Sequence, residues 1–387
     1  MKLGLAAPAL AALPQAFARV AHAGRPDHAL VLLKLDGGND GLNTIVPFAD
    51  DAYHRHRPGI GIPTAEVLRL DDQVGLNPAL EGLRALWDRG ELAVLQGIGY
   101  PDPDRSHFRS TDIWETATTG VPERWSGWLG RALDTPAPAG GGIPGLQLDD
   151  GPLSLALVGE RVVVPCVRDA GRFRVDGGSA VRERLARLLL GPSQGGPLLH
   201  IQKAARQAYR TADSLERALS RERRAADYPD TELARQLWQI ARLIEADFPA
   251  RVFALRLPGF DTHSRQRPGH DALLRTLGDA VGAFFRDLRR VRRGDRALLL
   301  TYSEFGRRVR ENRSLGTDHG AAAPMLVAGG GVRGGIYGGH PSLEQLEQGD
   351  LVHHTDFRRV YASVLEGWLG VDAARVLAGA FAPLPFV

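Results

Sequence analysis

The sequence predicts an α/β protein built on a mostly parallel sheet flanked by helices, and two observations carry that prediction. Four runs, His28–Leu35, Leu92–Gln96, Arg251–Leu257 and Ala297–Leu300, are apolar or branched at nearly every position. That pattern belongs to strands covered on both faces, as in parallel sheets. Segments with helical spacing stand between the runs, so strand and helix alternate as in βαβ units. Each run also ends in polar residues, and ligands bind at the carboxyl ends of strands in open sheets of this kind.

The first strand runs into Asp36-Gly37-Gly38-Asn39-Asp40-Gly41, where glycines permit a tight turn and Asp36 stands at the strand mouth. A turn cap is an equally good use of Asp36 or Asp40. His54 and His56 lie among Arg and Asp and read as solvated. Asn77–Gly90 has Leu80, Leu83, Leu86 and Trp87 at helical spacing, with Pro78 to start it and Gly90 to stop it. After the second strand, Pro101 and Pro103 lead into a helix capped by Asp104 or Ser106. Ser106 beside His107 and Arg109 at a helix start suits an anion or an alkoxide, although serine is also a common structural cap.

From Gly120 to Ala226 the chain reads as an insertion or cover. It has a Pro/Gly-rich connector, two or three strands that include LALVG and RVVVPCV, and Arg/Glu-dense helices at Ser179–Gly191 and Leu198–Ala226. Thr231 caps the next helix, TELARQLWQIARLIEAD. The third strand ends in Asp261-Thr262-His263. A helix, His270–Arg290, leads to the fourth strand, which delivers Ser303, Glu304 and Phe305. A polar, Arg-rich excursion then reaches Asp318-His319 before a second apolar run, Met325–Ala328. VAGGGVRGGIYGG lacks the following helix of a dinucleotide site and is expected to be a surface loop. Thr355–Leu369 is expected to be the closing helix, capped at Thr355 or Asp356.

With 387 residues and 43% hydrophobic content, the chain can bury a large core, expected as one domain over 24–387. Its 48 basic and 45 acidic residues nearly balance, and no compact basic patch with interleaved aromatics occurs, so nucleic acid is not an expected partner. A single cysteine, Cys166, excludes an internal disulfide framework and a Cys-only zinc site. It reads as strand filler. Residues 1–23 combine an early Lys, an apolar stretch and the ending Ala21-His22-Ala23, which resembles a secretory signal. No later stretch has the length and apolarity of a spanning helix, so the mature chain is expected to be periplasmic or secreted.

Acids and imidazoles thus gather at strand mouths, and Asp36, Asp261, His263, Glu304, Asp318 and His319 are the candidate metal ligands. Mixed oxygen and nitrogen donors suit a divalent ion such as zinc or manganese. Two such ions would activate the Ser106 hydroxyl or a bound water and clamp an in-line displacement.

The segments LDGGNDGLNTIVPF, RSHFRSTDIWET, GFDTH, TYSEFGRRVREN, GTDHGAAAPM and TDFRRVYASVLEGWLG resemble the exported bacterial family catalogued as domain of unknown function 1501. That family is distantly similar to the alkaline phosphatase and sulfatase superfamily. The resemblance implies an alkaline phosphatase-like core that hydrolyses a small anionic phosphate or sulfate ester. It also implies one metal held by Asp261, His263 and His319, a second near Asp36 and Glu304, and Ser106 as nucleophile. In this reading Arg109 or Arg307 holds the anion's oxygens bidentately. The chain departs from the superfamily in three ways. Asp261 and His263 are closer together than the usual pair, Ser303-Glu304 replaces an Asp-His pair, and no C/S-x-P-x-R motif surrounds Ser106. Members commonly start with a twin-arginine export signal, which residues 1–23 lack. Two rivals stand beside this reading: a non-catalytic exported binding or scaffold protein, and a metal-free serine hydrolase pairing Ser106 with His263 or His319.

Overall fold

The computed structural model describes residues 27–122, 125–135, 145–173, 197–220 and 227–387, with 183, 184 and 187 besides. The signal-like leader at 1–23 and most of the helix expected at Ser179–Gly191 lie outside the described residues.

Among these residues the main sheet has nine strands: β1 (Ala29–Asp36), β2 (Leu92–Gly99), β3 (Gly145–Leu148), β4 (Cys166–Val167), β5 (Val252–Pro258), β6 (Ala297–Tyr302), β7 (Ala323–Ala328), β8 (Gly335–Tyr337) and β9 (Thr355–Asp356). The order is β8-β2-β7-β6-β1-β5-β3-β4, with β9 also paired to β2. β1 runs parallel to both β5 and β6, and β7 is antiparallel to its neighbours β6 and β2. The helices used below are α1 (Glu81–Trp87), α2 (His107–Thr116), α3 (Trp128–Asp134), α4 (Pro197–Leu219), α5 (Glu232–Glu245), α6 (Gln266–Arg290) and α7 (Phe357–Ser363).

β1 shows why its run is apolar at nearly every position. Ala29, Val31, Leu33 and Leu35 face one core, shared with Leu237 and Ile240 of α5 and Leu277 and Phe284 of α6. Leu30 and Leu32 face the other, shared with Ile113 and Trp114 of α2, Trp128 of α3 and Tyr361 of α7. Successive side chains point to opposite faces of a strand, so both positions must be apolar when helices cover both sides. The mostly parallel sheet flanked by helices is therefore as the sequence predicts. Within 120–226, β3 and β4 lengthen this sheet beyond β5, and Cys166 on β4 is exposed.

Two local expectations are corrected. Leu155–Leu157, in LALVG, is a 3-10 turn rather than a strand, because Ser154 Oγ and Glu115 Oε2 both accept the Ala156 N–H. The glycine-rich stretch contains β8, which pairs with β2 and so joins the sheet. The closing helix is capped by Asp356, as expected, its carboxylate accepting the Arg358 N–H at 2.9 Å, and Thr355–Asp356 also pairs with β2.

A buried ion pair underlies the loop after β1. Asp40 and Arg57 are both shielded from solvent, with Arg57 Nη1 2.6 Å from Asp40 Oδ2. The same guanidinium donates to Asn43 Oδ1 at 2.9 Å and to the carbonyls of Val309 and Arg308. Burial pushes the Asp40 carboxyl up, but the charge and hydrogen bond of Arg57 outweigh it and hold the carboxyl below its usual range. Arg57→Ala leaves that carboxylate buried without its partner and is expected to cost about 3–5 kcal/mol. Because the folded carboxyl titrates below its unfolded value of about 3.9, its contribution is complete above that pH and fades as pH falls through the folded value. Urea unfolding between pH 7 and pH 3 checks both points. An Arg57→Ala midpoint equal to that of the wild type at pH 7 would contradict them.

Candidate metal centre

The register pairs Asp36 with Pro258 and Lys34 with Tyr302, so β1, β5 and β6 end close together. The loops Gly37–Asp40, Gly259–His263 and Ser303–Arg307 therefore leave the sheet side by side. Arg307 ties them. Its fully buried guanidinium donates to the carbonyls of Gly38 at 2.6 Å, Thr317 at 2.8 Å and Phe260 at 3.1 Å, to that of Gly37, and to Asp261 Oδ1 at 2.7 Å. Gly37 has a φ of +121°, and a Cβ there would lie 2.4 Å from the Asp261 nitrogen. Its N–H donates to Glu304 Oε1 at 2.9 Å. Ser303 Oγ accepts the Asn39 N–H at 2.9 Å and donates to the Leu35 carbonyl at 2.6 Å.

Imidazoles gather around Asp261 on this platform. Asp261 Oδ1 lies 3.0 Å from His263 Nε2 and 3.2 Å from His319 Nε2, and Oδ2 lies 3.6 Å from His107 Nε2. The Nε2 atoms of His263 and His319 are 3.0 Å apart. His107, Asp261 and His319 each offer a ligand atom, all within 4.8 Å of one another.

The far sides of two rings fix their tautomers. His319 Nδ1 lies 2.8 Å from the Arg105 carbonyl, which only accepts, so Nδ1 carries the proton. His107 Nδ1 lies 2.9 Å from Glu304 Oε1, so it too is the donor. Both Nε2 atoms then turn lone pairs toward a carboxylate, an arrangement that repels unless a proton or a cation sits between. Burial pushes Asp261 up, but the hydrogen bond and charge of Arg307, together with the imidazoles of His319 and His263 beside it, hold it down to about 2. An ionised carboxylate facing imidazole nitrogens held from behind is the donor set of a divalent-metal site, and it fits zinc.

Of the residues predicted from sequence, Asp261, His263 and His319 meet here. Glu304, nearly inaccessible to solvent, stands behind His107, and Asp318 stands behind His263 with Oδ1 3.6 Å from Nδ1. Asp36 is outside the cluster, paired with Lys34 at 2.7 Å and Arg256 at 3.5 Å. Ser106 is exposed at the start of α2, one residue before His107. Arg109 donates to the carbonyls of Thr119 and Gly120 at 3.0 and 2.6 Å, and Arg307 is spent on the loops. His107 was not among the expected ligands. Its one signal in the sequence is its place at the first helical position after a strand mouth.

Fold and cluster together define an α/β protein with a His/Asp centre at the carboxyl edge of a mostly parallel sheet. The chain belongs to the family described as "Protein of unknown function (DUF1501)", whose model matches residues 95–380. No curated protein matches it. Among solved structures it is similar to a protein in the alkaline phosphatase superfamily from Vibrio parahaemolyticus, at 11% identity and a TM-score of 0.45, over 93% of this chain and 70% of that one. It is similar to the lipoteichoic acid synthase LtaP from Listeria monocytogenes at 10% identity and a TM-score of 0.41, over 93% and 76%. The PsFucS1 sulfatase from Pseudoalteromonas sp. is similar at 11% identity and a TM-score of 0.38, over 91% and 68%. Among the described residues no helix is long and apolar enough to cross a membrane.

Gly37→Ala is expected to destabilise the protein by more than about 1 kcal/mol, since the new Cβ meets backbone at a φ that L-residues avoid. Urea unfolding of the variant indistinguishable from that of the wild type would show that the loop has room.

Proposed function

We propose that this protein is an exported metal-dependent hydrolase of a phosphate or sulfate ester, with one divalent ion bound by His107, Asp261, His263 and His319. The observation that carries this reading is the convergence of three Nε2 atoms on one ionised carboxylate, two of them with Nδ1 already engaged from behind. When bound, such an ion supplies a Lewis acid that lowers the pKa of a hydroxyl or water and stabilises a departing oxygen. Glu304 and the Arg105 carbonyl orient two ligands, and Arg307 fixes the third, Asp261. The Ser106 hydroxyl, beside His107, is the candidate nucleophile. Its Oγ bonds to phosphorus or sulfur as the alcohol leaves with the proton, and water then cleaves the seryl ester, restoring the hydroxyl and releasing phosphate or sulfate.

The structure favours one ion over the two first expected. Asp36, assigned to the second, is paired with two cations, and Glu304 is engaged by His107 and Gly37. Arg109 and Arg307 are committed to backbone carbonyls, so neither is assigned the anion. That commitment is also what favours the rival, a protein that binds metal without turning over an ester. Export rests on the signal-like leader and on the family resemblance.

Protein purified without chelator is expected to carry about one equivalent of divalent metal, and His319→Ala and Asp261→Ala much less. Chelator is expected to abolish hydrolysis of 4-nitrophenyl phosphate or sulfate, and Ser106→Ala to lower kcat by roughly 10²-fold or more. No metal retained after refilling with zinc or manganese overturns the centre. Bound metal with no turnover of any ester favours the binding protein.

A further inference from the structure

One helical turn along α2 from His107, a pocket of about 210 Å³ opens between β1, β5, β6, α2 and the 149–155 loop. His107, Thr111 and Glu115 are spaced four apart on α2, so one helix face leads from the centre into the pocket. Thr111 stands about 6 Å along the helix from His107. Most polar groups of the wall are spent. Glu115 accepts from Tyr302, Ser154 and the Ala156 N–H, and the Gln147 amide is held by Asp149, Pro152 and Ser154.

Three groups keep capacity. Lys34 Nζ donates to Thr111 Oγ1 at 3.0 Å and to Asp36 Oδ1 at 2.7 Å, which leaves one N–H. The Arg256 side chain is 34% exposed, and its polar contact among the described residues is a long one, 3.5 Å to Asp36. Asp149 Oδ1 takes the N–H groups of Gln147 and Gly151, while Oδ2 has no donor among the described residues.

We infer that this pocket binds the alcohol part of the ester, and that this part is a neutral, hydroxyl-rich group of the size of one sugar ring. The inference rests on the hydrolase reading for the word ester, and on the pocket alone for the chemistry of the ligand. Two basic side chains, Lys34 and Arg256, and two acidic ones, Glu115 and Asp149, line the pocket, and Asp36 stands between the two bases. With Asp36 counted, three carboxylates face two bases, so no surplus positive charge remains to select a second anion, and because Glu115 and Asp36 are already engaged, Asp149 Oδ2 is a single open oxygen and a poor seat for an ammonium group. Hydroxyls both donate and accept, so neighbouring hydroxyls match a guanidinium and an ammonium set near a carboxylate. An apolar alcohol would leave those groups desolvated and unpaired, which is how polar pockets reject such ligands. The volume lies below the roughly 300–1,000 Å³ of drug-sized sites, so one ring fits and a longer chain would have to extend out of the mouth.

The test uses the metal-replete full chain and Arg256→Ala, whose lost side chain makes no hydrogen bond among the described residues beyond that to Asp36. The ratio of kcat/KM for glucose 6-phosphate and glucose 6-sulfate over the matching 4-nitrophenyl esters is expected to fall about tenfold or more in the variant, with partial recovery in Arg256→Lys. An unchanged ratio overturns the inference. Calorimetric titration with free glucose, galactose and mannose decides independently of turnover: at least one is expected to bind the wild type and to bind Arg256→Ala about tenfold more weakly. Binding of none of the three by the wild type also overturns the inference, while hydrolysis of the 4-nitrophenyl esters would leave the proposed function standing.

Discussion

The site depends on one buried guanidinium. Burying the charge of Arg307 costs several kcal/mol unless its donors are met. They are met by four backbone carbonyls and the Asp261 carboxylate, contributed by the loop after β1, the loop after β5 and the segment before His319. Those loops come from strands adjacent in the sheet but far apart in sequence. Once the guanidinium is in place their relative positions are no longer independent, and Asp261 is aimed by the same contact. A lysine could not do this, since a single ammonium has three donors on a flexible stem and no planar fork.

Arg307 is in turn anchored to the buried ion pair below it. Its Nη1 donates to the Thr317 carbonyl, the Thr317 hydroxyl donates to Gln266 Oε1 at 2.6 Å, and Gln266 Nε2 donates to Asp40, the partner of Arg57. Asn39 joins the same layer, where its Oδ1 accepts from His270 Nε2 at 2.9 Å and from the Thr44 hydroxyl at 3.1 Å. A continuous hydrogen-bonded chain therefore runs from the first turn of α6 to the mouth of the sheet. Asp40 Oδ1 and His270 Nδ1 have no hydrogen-bond partner among the described residues, but the chain itself is unbroken, and a site built over such a chain inherits its positions from the scaffold.

The sheet was legible because burial on both faces writes itself into sequence as uninterrupted apolar runs. It was illegible where other forces placed the backbone: β8 holds glycines but pairs through its main chain, and LALVG is apolar but turns under a local hydrogen bond. The centre was legible where acid and imidazole fall together at a strand mouth, as Asp261 with His263 and as His319. His107 was hidden, since a lone histidine at a helix start has no spacing partner to mark it. Asp36 does not join the cluster, for a reason the sequence does contain. Strand side chains repeat every two residues, so Asp36 shares its face with Lys34 and finds that cation instead of the cluster. Arg307 was singled out within GRRVRENR, but for an anion, because nothing in that arginine-rich run marks a guanidinium whose donors are met by backbone carbonyls and Asp261.

The departure at Ser303-Glu304 acquires a physical sense from the same geometry. Glu304 Oε1 accepts both the Gly37 N–H and His107 Nδ1, and Oε2 faces Ser303 Oγ at 3.4 Å. Ser303 Oγ is itself held between the Leu35 carbonyl and the Asn39 N–H. A carboxylate so engaged has little left for a metal, but it raises the basicity of the imidazole it holds and fixes the ring's direction. On the proposed reading, the position expected to ligate a second ion has become support for a ligand of the first. The Asp36 side, on that reading free of a second ion and paired with Lys34 and Arg256, is left as the rim of a pocket with no surplus positive charge. One substitution in the pattern and one change of partner thus point the same way, toward a single-ion centre with room for a neutral group beside it.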